Sequence, residues 1–288
     1  MDPSFAVVVA TIIWGFAGVL VKTIALPTAV IAAFRLGVPT IVTGLYLWWK
    51  KVHIWHKVTT LFVVASLLNA IRLYFDLKGL ELLPVSVSVV LSYTSPIFVM
   101  VFSFFFLKEK ITLRKIIILM CVLTGILVLV SGTDLSLSNV AFLGAACKIL
   151  AAVIYAVSVI LLKKESPHND PFTLLFFQNV LGAIIFLPFF ITASPFPTTF
   201  QISLSIFYAF FIGFVGFAFF FYAFKRLSVT TSALISYLEV VTAVLCGVIF
   251  LGESITLQLI FGGALIIVPL FFVHEKKPIA IQKTGSLK

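Results

Sequence analysis

Five ionisable side chains stand inside long apolar stretches of this 288-residue sequence, namely Arg35, Arg72, Asp76, Lys148 and Glu239. An ionisable group in the hydrocarbon layer of a membrane costs about 2.5–3.5 kcal/mol on insertion scales, so each one needs a partner or a task. Arginine and lysine bind carboxylates, and a carboxylate binds a cation. If the apolar stretches cross a membrane, these residue types predict a polar binding site inside it.

Glu239 stands near the middle of the apolar stretch 229–251. Ser232, Ser236 and Ala243 recur around it at helical spacings, which predicts one small and polar helix face. Without a partner this carboxyl could carry a proton, whereas a basic neighbour would keep it charged. The alternative role is structural, an interhelical hydrogen bond between the last two apolar stretches.

Two basic residues, Arg35 and Lys148, are candidates for binding a carboxylate, and a third, Arg72, has an acidic residue nearby. Arg35 offers a rigid guanidinium fork that suits a ligand, although it could equally serve as a structural partner for an acidic neighbour. Lys148 lies too deep in its stretch to reach the nearer interface, so we expect it to line a cavity. Arg72 and Asp76 are four residues apart near the outer end of the stretch 59–77, a spacing that permits a local ion pair or a gate.

Four aromatic residues lie away from the ends of their apolar stretches: Trp14, Tyr93, Tyr155 and Tyr237. Their indole and hydroxyl groups need hydrogen-bond partners in a dry environment. Aromatic side chains inside a helical bundle often serve packing alone, which is the alternative role here. Because aromatic faces also attract cations, we predict that these four line a substrate pocket.

The composition indicates a membrane protein. Hydrophobic residues make up 62% of the chain and charged residues 10%, against roughly 45–50% and about 25% in soluble domains. The net charge of +10 comes from short basic clusters between apolar runs. Such clusters are typical of cytoplasmic membrane loops, so we expect no nucleic-acid partner. The three cysteines lack metal-binding spacing, and we expect neither a metal nor a cofactor.

Ten apolar runs are long enough to cross a bilayer as helices. Their approximate bounds, numbered here as spans 1 to 10, are 5–22, 30–49, 59–77, 85–107, 114–131, 140–162, 171–190, 203–223, 229–251 and 256–273. Pro96 predicts a kink in span 4. The loops are too short for a soluble domain, so the sequence predicts an all-α membrane protein whose function resides within a ten-helix bundle.

The distribution of basic residues predicts the orientation. If the N-terminus is cytoplasmic, 15 of the 20 lysines and arginines fall in inside loops or the tail, and only Lys22 and Lys78 lie at outside ends. This bias follows the positive-inside rule. We therefore expect a multi-pass protein of the cell membrane, in a bacterium the inner membrane, with both termini in the cytoplasm.

A heptapeptide is written twice in the chain. LKEKITL at 107–113 returns as LGESITL at 251–257, 144 residues later, and the same offset relates Tyr93 to Tyr237. We interpret spans 1–5 and 6–10 as copies. Because five is odd, the second copy enters the membrane from the opposite side, which is a common architecture of secondary transporters.

The predicted organisation is therefore two inverted-topology repeats of five transmembrane helices. The first covers residues 1–135 and the second covers residues 136–275, followed by a cytoplasmic tail at 276–288. In this architecture a solute site lies near the membrane midplane, between the repeats.

The order of the motifs resembles the drug/metabolite transporter superfamily, and within it the ten-helix EamA-type members. The motifs are Trp14-Gly15 with Lys22, Phe34-Arg35, Leu83-Pro84, Ser95-Pro96, and the pair Leu107-Lys108-Glu109 and Leu251-Gly252-Glu253. The resemblance covers nearly the whole chain and implies secondary transport of a small organic solute through a central cavity lined by both halves. One departure is that Glu239-Val240 stands where the first half has Ser95-Pro96.

We therefore predict a secondary transporter that alternates access around a central cavity. Embedded charges of both signs suit a zwitterion, such as an amino acid or an amino-acid-like metabolite, for example S-adenosylmethionine. The alternative is efflux of lipophilic organic cations or drugs, which requires Glu239 to be unpaired and the basic residues to face away from the cavity. No enzyme is expected, because the sequence has no HExxH or GxSxG motif. The predicted partners are the solute and the lipid bilayer, with the protein a monomer or homodimer.

Overall fold

The computed structural model describes residues 1–53, 57–83, 88, 91–130, 139–251 and 257–272. In the first half of the chain the helices are α1 (Pro3–Gly15), α2 (Ala17–Ile24), α3 (Thr28–Trp49), α4 (Thr60–Leu82), α5 (Ser95–Leu107) and α6 (Leu113–Val130). In the second half they are α7 (Asn139–Glu165), α8 (Pro171–Ile191), α9 (Thr199–Tyr208), α10 (Gly216–Phe224), α11 (Val229–Ile235), α12 (Leu238–Leu251) and α13 (Leu257–Leu270). A π-helical segment, Ala209–Val215, joins α9 to α10.

Within the described residues, six helical stretches are long and apolar enough to cross a membrane: Pro3–Ile24, Thr28–Trp49, Thr60–Leu82, Val140–Glu165, Pro171–Ile191 and Thr199–Phe224. Shorter apolar helices cover Ser95–Leu107, Val229–Ala243 and Ile260–Leu270. The chain is thus an all-helical, multi-pass membrane protein. The predicted tail at 276–288 and the repeated acid Glu253 lie outside the described residues.

The polarity of the bundle is the reverse of that in a soluble protein. Large apolar side chains are exposed around its outside, among them Phe142 at 79%, Trp48 at 78% and Phe271 at 74%. Charged side chains, including those of Arg35 and Lys148, are buried within it. Lipid is the solvent that such an outer surface fits, because exposed apolar patches of this extent are rare in water.

The helix of span 3 is longer than the sequence predicts. The sequence predicts an end at residue 77, yet α4 continues through Lys78 and Glu81 to Leu82. The two side chains neutralise each other in a salt bridge of 2.8 Å across one helical turn, so the helix can carry both charges. Arg72 is therefore the thirteenth of 23 residues in α4, and the expectation that it lies near the end of its helix is wrong.

Span 4 is interrupted just before Pro96, where the sequence predicts a kink. The chain turns at Tyr93 and Thr94, and α5 then begins with Pro96 in its first turn. Thr94 N–H donates to the carbonyl of Leu91, three residues earlier. Such a tightening within a helix often marks a hinge.

Span 9 is interrupted in the same way between α11 and α12, although no proline stands there. Tyr237 N–H donates to the carbonyl of Leu234, and Glu239 N–H donates to that of Ser236. Both bonds join residues three apart, as in a 3₁₀ helix. The helix face predicted from Ser232 to Ala243 therefore passes through a 3₁₀ turn directly before Glu239.

Packing brings helices of the two halves of the chain together. Helix α3 packs on α8, α4 on α7, α5 on α11 and α6 on α13, while α1 packs on α10 and α12. Helices α4 and α7 approach closely at Gly79, where a Cβ would lie 2.6 Å from Cγ of Lys148 and 3.0 Å from the carbonyl oxygen of Gly144. This close approach presses the lysine stem against α4.

Candidate functional site

Lys148 and Asp76 form an ion pair between α7 and α4. The Lys148 ammonium lies 2.8 Å from Oδ1 of Asp76 and donates a second hydrogen bond, of 3.1 Å, to Oγ of Ser92. The side chain of Lys148 is 4% exposed and that of Asp76 is 31% exposed. Lys148 thus points inward as the sequence predicts, but its charge is already matched within the protein.

Arg72 does not form the ion pair with Asp76 that their spacing permits. Asp76 lies one helical turn away, yet within the described residues the salt bridge of Asp76 is made with Lys148 and none is made by Arg72. The Arg72 guanidinium lies instead 5.6 Å from the ring centre of Tyr155, within the range of a cation–π contact. Its Nε is buried and has no hydrogen-bond partner among the described residues.

Arg35 lies on α3 against the π-helical segment. Its side chain is buried, lies within electrostatic reach of Tyr208, and places its guanidinium carbon 4.9 Å from the ring centre of Phe217. A Cβ at Gly213 would come within 2.8 Å of its Nη1, so the absence of a side chain at Gly213 leaves room for the guanidinium. In the part of the chain that the structure describes, Arg35 makes no salt bridge.

Trp14 contacts the same π-helical segment from α1. Its indole Nε1–H donates to the carbonyl of Ile212 at 3.1 Å. Its ring packs on Phe217 and Phe220, with ring centres 4.7 Å and 5.4 Å away. π-Helical turns occur frequently at functional sites. Because the indole N–H is already paired, Trp14 can offer a ligand only the face of its ring.

Tyr93 and Tyr237 meet where the two interrupted helices cross. Their ring centres are 5.7 Å apart, and the Tyr237 hydroxyl donates to the carbonyl of Tyr93 at 2.8 Å. Tyr237 is completely buried, whereas Tyr93 is half-buried. Tyr237 therefore fastens the two interruptions together, and Tyr93 is the member of the pair with accessible surface.

Glu239 is the second residue of α12, directly after the interruption. It is half-buried, and its carboxylate has neither a salt bridge nor a hydrogen bond within the described chain. The charges that act on it are those of Asp76, Arg35, Arg72 and Lys148. The structure thus brings the five embedded ionisable residues into one electrostatic group, which we call the central charge cluster.

Two residues next to this cluster, Tyr208 and Ser92, were not predicted as site residues from the sequence. Tyr208 is within electrostatic reach of Arg35, Arg72 and Asp76. A phenol inside an apolar span needs a hydrogen-bond partner, and this is the signal that points to it. Ser92 belongs to a row of small residues that indicates close packing, yet its hydroxyl lies between the two members of the ion pair of α4 and α7.

Glu109, the acid of the first heptapeptide, does not belong to the cluster and instead caps a helix. Its carboxylate oxygens accept the backbone N–H groups of Val229 at 2.8 Å and Thr230 at 3.2 Å, and the Thr230 hydroxyl at 2.8 Å. The N–H groups at a helix start have no partner within the helix. Glu109 therefore fastens the end of α5 to the start of α11. Among the residues described, His, Cys, Asp and Glu side chains do not gather into a metal site.

Comparison with known proteins gives a family match along nearly the whole chain. A model described as the EamA-like transporter family matches residues 3–131 and 142–274. The uncharacterized transporter YoaV of Bacillus subtilis is 26% identical over 275 residues, which cover 92% of this chain and 94% of that one. An S-adenosylmethionine uptake transporter of Rickettsia conorii is 26% identical over 234 residues, covering 76% and 75%. The pseudopaline exporter CntI of Pseudomonas aeruginosa is 24% identical over 257 residues, covering 88% of each chain.

A solved crystal structure matches with a TM-score of 0.79 over 93% of this chain and 94% of that one, at 18% sequence identity. At this identity the likeness shows a shared fold and nothing more. The relatives named above are all transporters, one of them for uptake and one for export. These relatives therefore share neither a named solute nor a direction of transport.

Proposed function

Since the chain belongs to the EamA-like transporter family, we propose that it is a secondary transporter that moves a small organic solute by alternating access through a central cavity. The solute is a zwitterion, either an amino acid or an amino-acid-like metabolite. The observation that carries this proposal is the central charge cluster, in which Glu239 has no ion pair yet is acted on by three basic residues and one acidic residue. Both ends of a zwitterion find a counter-charge in such a cluster.

The two halves, residues 1–135 and 136–275, are assigned as inverted repeats of five transmembrane helices each. Inversion about a two-fold axis brings helices near that axis against their own copies. The packing of α3 on α8, α5 on α11 and α6 on α13 supports this assignment. The same axis relates the contact of α4 with α7 to that of α10 with α1. Solute sites of such transporters lie between the repeats.

The two helix interruptions are assigned as the hinge of alternating access. Tyr93 and Tyr237 are 144 residues apart and contact each other, as copies near a two-fold axis would. Glu239 has Ser95 as its counterpart at the same offset. The hinge is therefore symmetric in backbone but carries a carboxylate on one side only, and this gives the site a fixed polarity.

Arg35 and Glu239 are assigned to the two ends of the solute. Arg35 lies over the ring of Phe217 and can donate two parallel hydrogen bonds to the solute carboxylate. Glu239 binds the ammonium or sulfonium group, beside the ring of Tyr93. One relative is named for the uptake of S-adenosylmethionine, a solute that contains these groups.

Efflux of lipophilic cations is the second candidate, and one observation favours it. That function requires an unpaired Glu239, which agrees with the absence of an ion pair to this carboxylate in the described chain. It also requires basic residues to face away from the site. Arg35, Arg72 and Lys148 all act on Glu239, so the zwitterion is preferred.

The proposed setting is the inner membrane of a bacterium, with both termini in the cytoplasm and the protein as a monomer or homodimer. The excess of basic residues in the loops on one side supports this orientation. It puts the contact of Glu109 with α11 on the cytoplasmic side. Transport is driven by gradients or exchange, without a cofactor.

Counterflow in proteoliposomes tests the proposal. The purified protein is reconstituted with unlabelled solute inside, and the uptake of labelled amino acids, S-adenosylmethionine and organic cations is measured. For the solute that is carried, Glu239→Gln and Arg35→Ala are each expected to lower initial uptake by about tenfold or more, because each removes one counter-charge.

Matched controls are available in the same chain. Glu81→Gln and Arg226→Ala make the same changes at exposed positions and should transport at the wild-type rate. Wild-type transport by both cluster variants overturns the assignment of the site. If the protein transports lipophilic cations and no amino acid, the second candidate function, cation efflux, is favoured instead.

A further inference from the structure

We infer that the transported zwitterion carries a second acidic group, as an acidic amino acid does, and that Arg72 binds this group. The inference rests on the proposed function and narrows its solute class. It follows from the charges of the central charge cluster, whose described members are three cations and two acids: Arg35, Arg72, Lys148, Asp76 and Glu239.

One cation and one acid of the cluster neutralise each other. Lys148 and Asp76 are 2.8 Å apart, and Ser92 accepts a further hydrogen bond from the ammonium. If a solute carboxylate displaced Asp76 from Lys148, it would leave that acid without its partner inside the bundle, which is strongly unfavourable. Neither member of the pair is therefore available to the solute.

The guanidinium groups of Arg35 and Arg72 then remain, whereas a simple zwitterion brings only one carboxylate. Arg35 and Arg72 act on each other as like charges, and both act on Glu239. A solute with one ammonium and one carboxylate would match Glu239 and Arg35 and leave Arg72 unmatched. A solute with one ammonium and two acidic groups matches all three side chains.

Arg72 has the surroundings of an anion-binding group. It stands in the middle of α4, and the ring of Tyr155 holds its guanidinium at 5.6 Å. Its buried Nε–H has no partner in the part of the chain that the structure describes, although buried polar atoms are nearly always hydrogen-bonded. A carboxylate bound side-on to the guanidinium would accept this N–H together with one from the terminal nitrogens.

The same charge count disfavours S-adenosylmethionine as the solute. That molecule has two cationic groups and one carboxylate, so its binding would raise the unmatched positive charge of the cluster. An acidic amino acid would bring that charge to zero. The two solutes are thus at opposite ends of the expected order of affinity.

The test compares solutes that differ by a single charge and hardly in shape. L-Glutamate is paired with L-glutamine, L-aspartate is paired with L-asparagine, and S-adenosylmethionine is the cationic competitor. Dissociation constants are measured on the purified full-length protein, and counterflow is measured in liposomes. We expect each acid to bind about tenfold more tightly than its amide, because one charged hydrogen-bonded contact has that effect.

Variants of Arg72 identify the group responsible. Arg72→Gln should bring the acid-to-amide ratio to within about twofold of one and leave amide binding unchanged. Arg72→Lys keeps the charge and should keep the preference for the acid. Lys78→Gln removes a cation of the same helix that is paired with Glu81, and it should leave the ratio unchanged.

The outcomes separate this inference from the proposed function. Equal binding of acids and amides by the wild-type protein, or tighter binding of S-adenosylmethionine, overturns the inference and leaves zwitterion transport in place. An unchanged ratio in Arg72→Gln also overturns it. If no zwitterion binds while a lipophilic cation does, the proposed function fails and the inference fails with it. If Arg72→Gln does not fold, the inference is still tested by the acid-to-amide ratio of the wild-type protein and of Arg72→Lys.

Discussion

The Asp76–Lys148 pair and the region of Glu239 contain the same kinds of side chain within one bundle, but they differ in whether the charges are matched. In the first, ammonium and carboxylate are 2.8 Å apart and share Ser92. In the second, Glu239 stands beside a helix interruption with no ion pair in the described chain, and Arg35 and Arg72 have none either. A charge inside a membrane protein is expensive in both places. We therefore propose that the first region holds the helices together and that the second binds the solute.

Glu109 extends this comparison to a third carboxylate. It accepts three hydrogen bonds at the start of α11, so it is as well satisfied as Asp76. Carboxylates that fasten helices to each other are therefore expected to govern stability. The unmatched Glu239 is expected to govern transport.

The largest effect on stability is expected at the ion pair. Asp76→Ala leaves the buried Lys148 ammonium without its carboxylate and should lower the free energy of unfolding by about 3–5 kcal/mol. Chemical denaturation in detergent measures this value. The double variant Asp76→Asn with Lys148→Gln, which removes both charges, should recover most of the loss. A change below about 1 kcal/mol in Asp76→Ala would remove the distinction between the two regions.

The cap of α11 is expected to show the next largest effect. Glu109→Ala removes the acceptor of two backbone N–H groups and one hydroxyl, and should lower the free energy of unfolding by about 2 kcal/mol. The same denaturation experiment measures it, with Lys108→Ala as the adjacent control. If Glu109→Ala instead abolishes uptake at unchanged stability, Glu109 belongs with the functional carboxylates.

Gly213→Ala tests the region of Glu239 by displacing Arg35. The added Cβ would lie 2.8 Å from both Nη1 of Arg35 and Cγ of Pro39. It should shift α3 and the guanidinium slightly away, lowering initial uptake about tenfold with the fold retained. Gly37→Ala on α3, where a Cβ would meet nothing within 4 Å, is the matched control. Equal uptake by the two variants would show that the position of Arg35 does not matter.

The smallest effect is expected at the hinge. Tyr237→Phe removes the hydrogen bond to the carbonyl of Tyr93 and should lower the free energy of unfolding by about 1 kcal/mol. It should also change the exchange rate measured by counterflow, because the two interruptions are no longer fastened. A changed stability with an unchanged exchange rate would assign this contact to packing alone.

Much of the fold could be predicted because the controlling signals are local. Apolar runs indicate helices, and the depth of Lys148 and Glu239 within their runs indicates that both point inward. The end of α4 could not be predicted, because two charged residues, Lys78 and Glu81, follow the apolar run. They pair with each other, so the helix continues through them. The interruption before Glu239 has no proline to signal it.

The partners within the site depend on tertiary packing, and the sequence does not contain them. Asp76 has Arg72 one turn away, yet it pairs with Lys148, 72 residues further along the chain. This choice depends on the close approach of α4 and α7 at Gly79. Tyr208 lies beside the cluster for a similar reason, because the π-helical segment next to it packs against α3.

The central claim is that the unmatched carboxylate serves the solute and the matched ion pair serves the fold. Counterflow in proteoliposomes with Glu239→Gln and with the double variant Asp76→Asn and Lys148→Gln tests it most directly. We predict that the double variant, once folded, retains uptake and that Glu239→Gln loses it. Uptake retained by Glu239→Gln and lost by the folded double variant would contradict the claim.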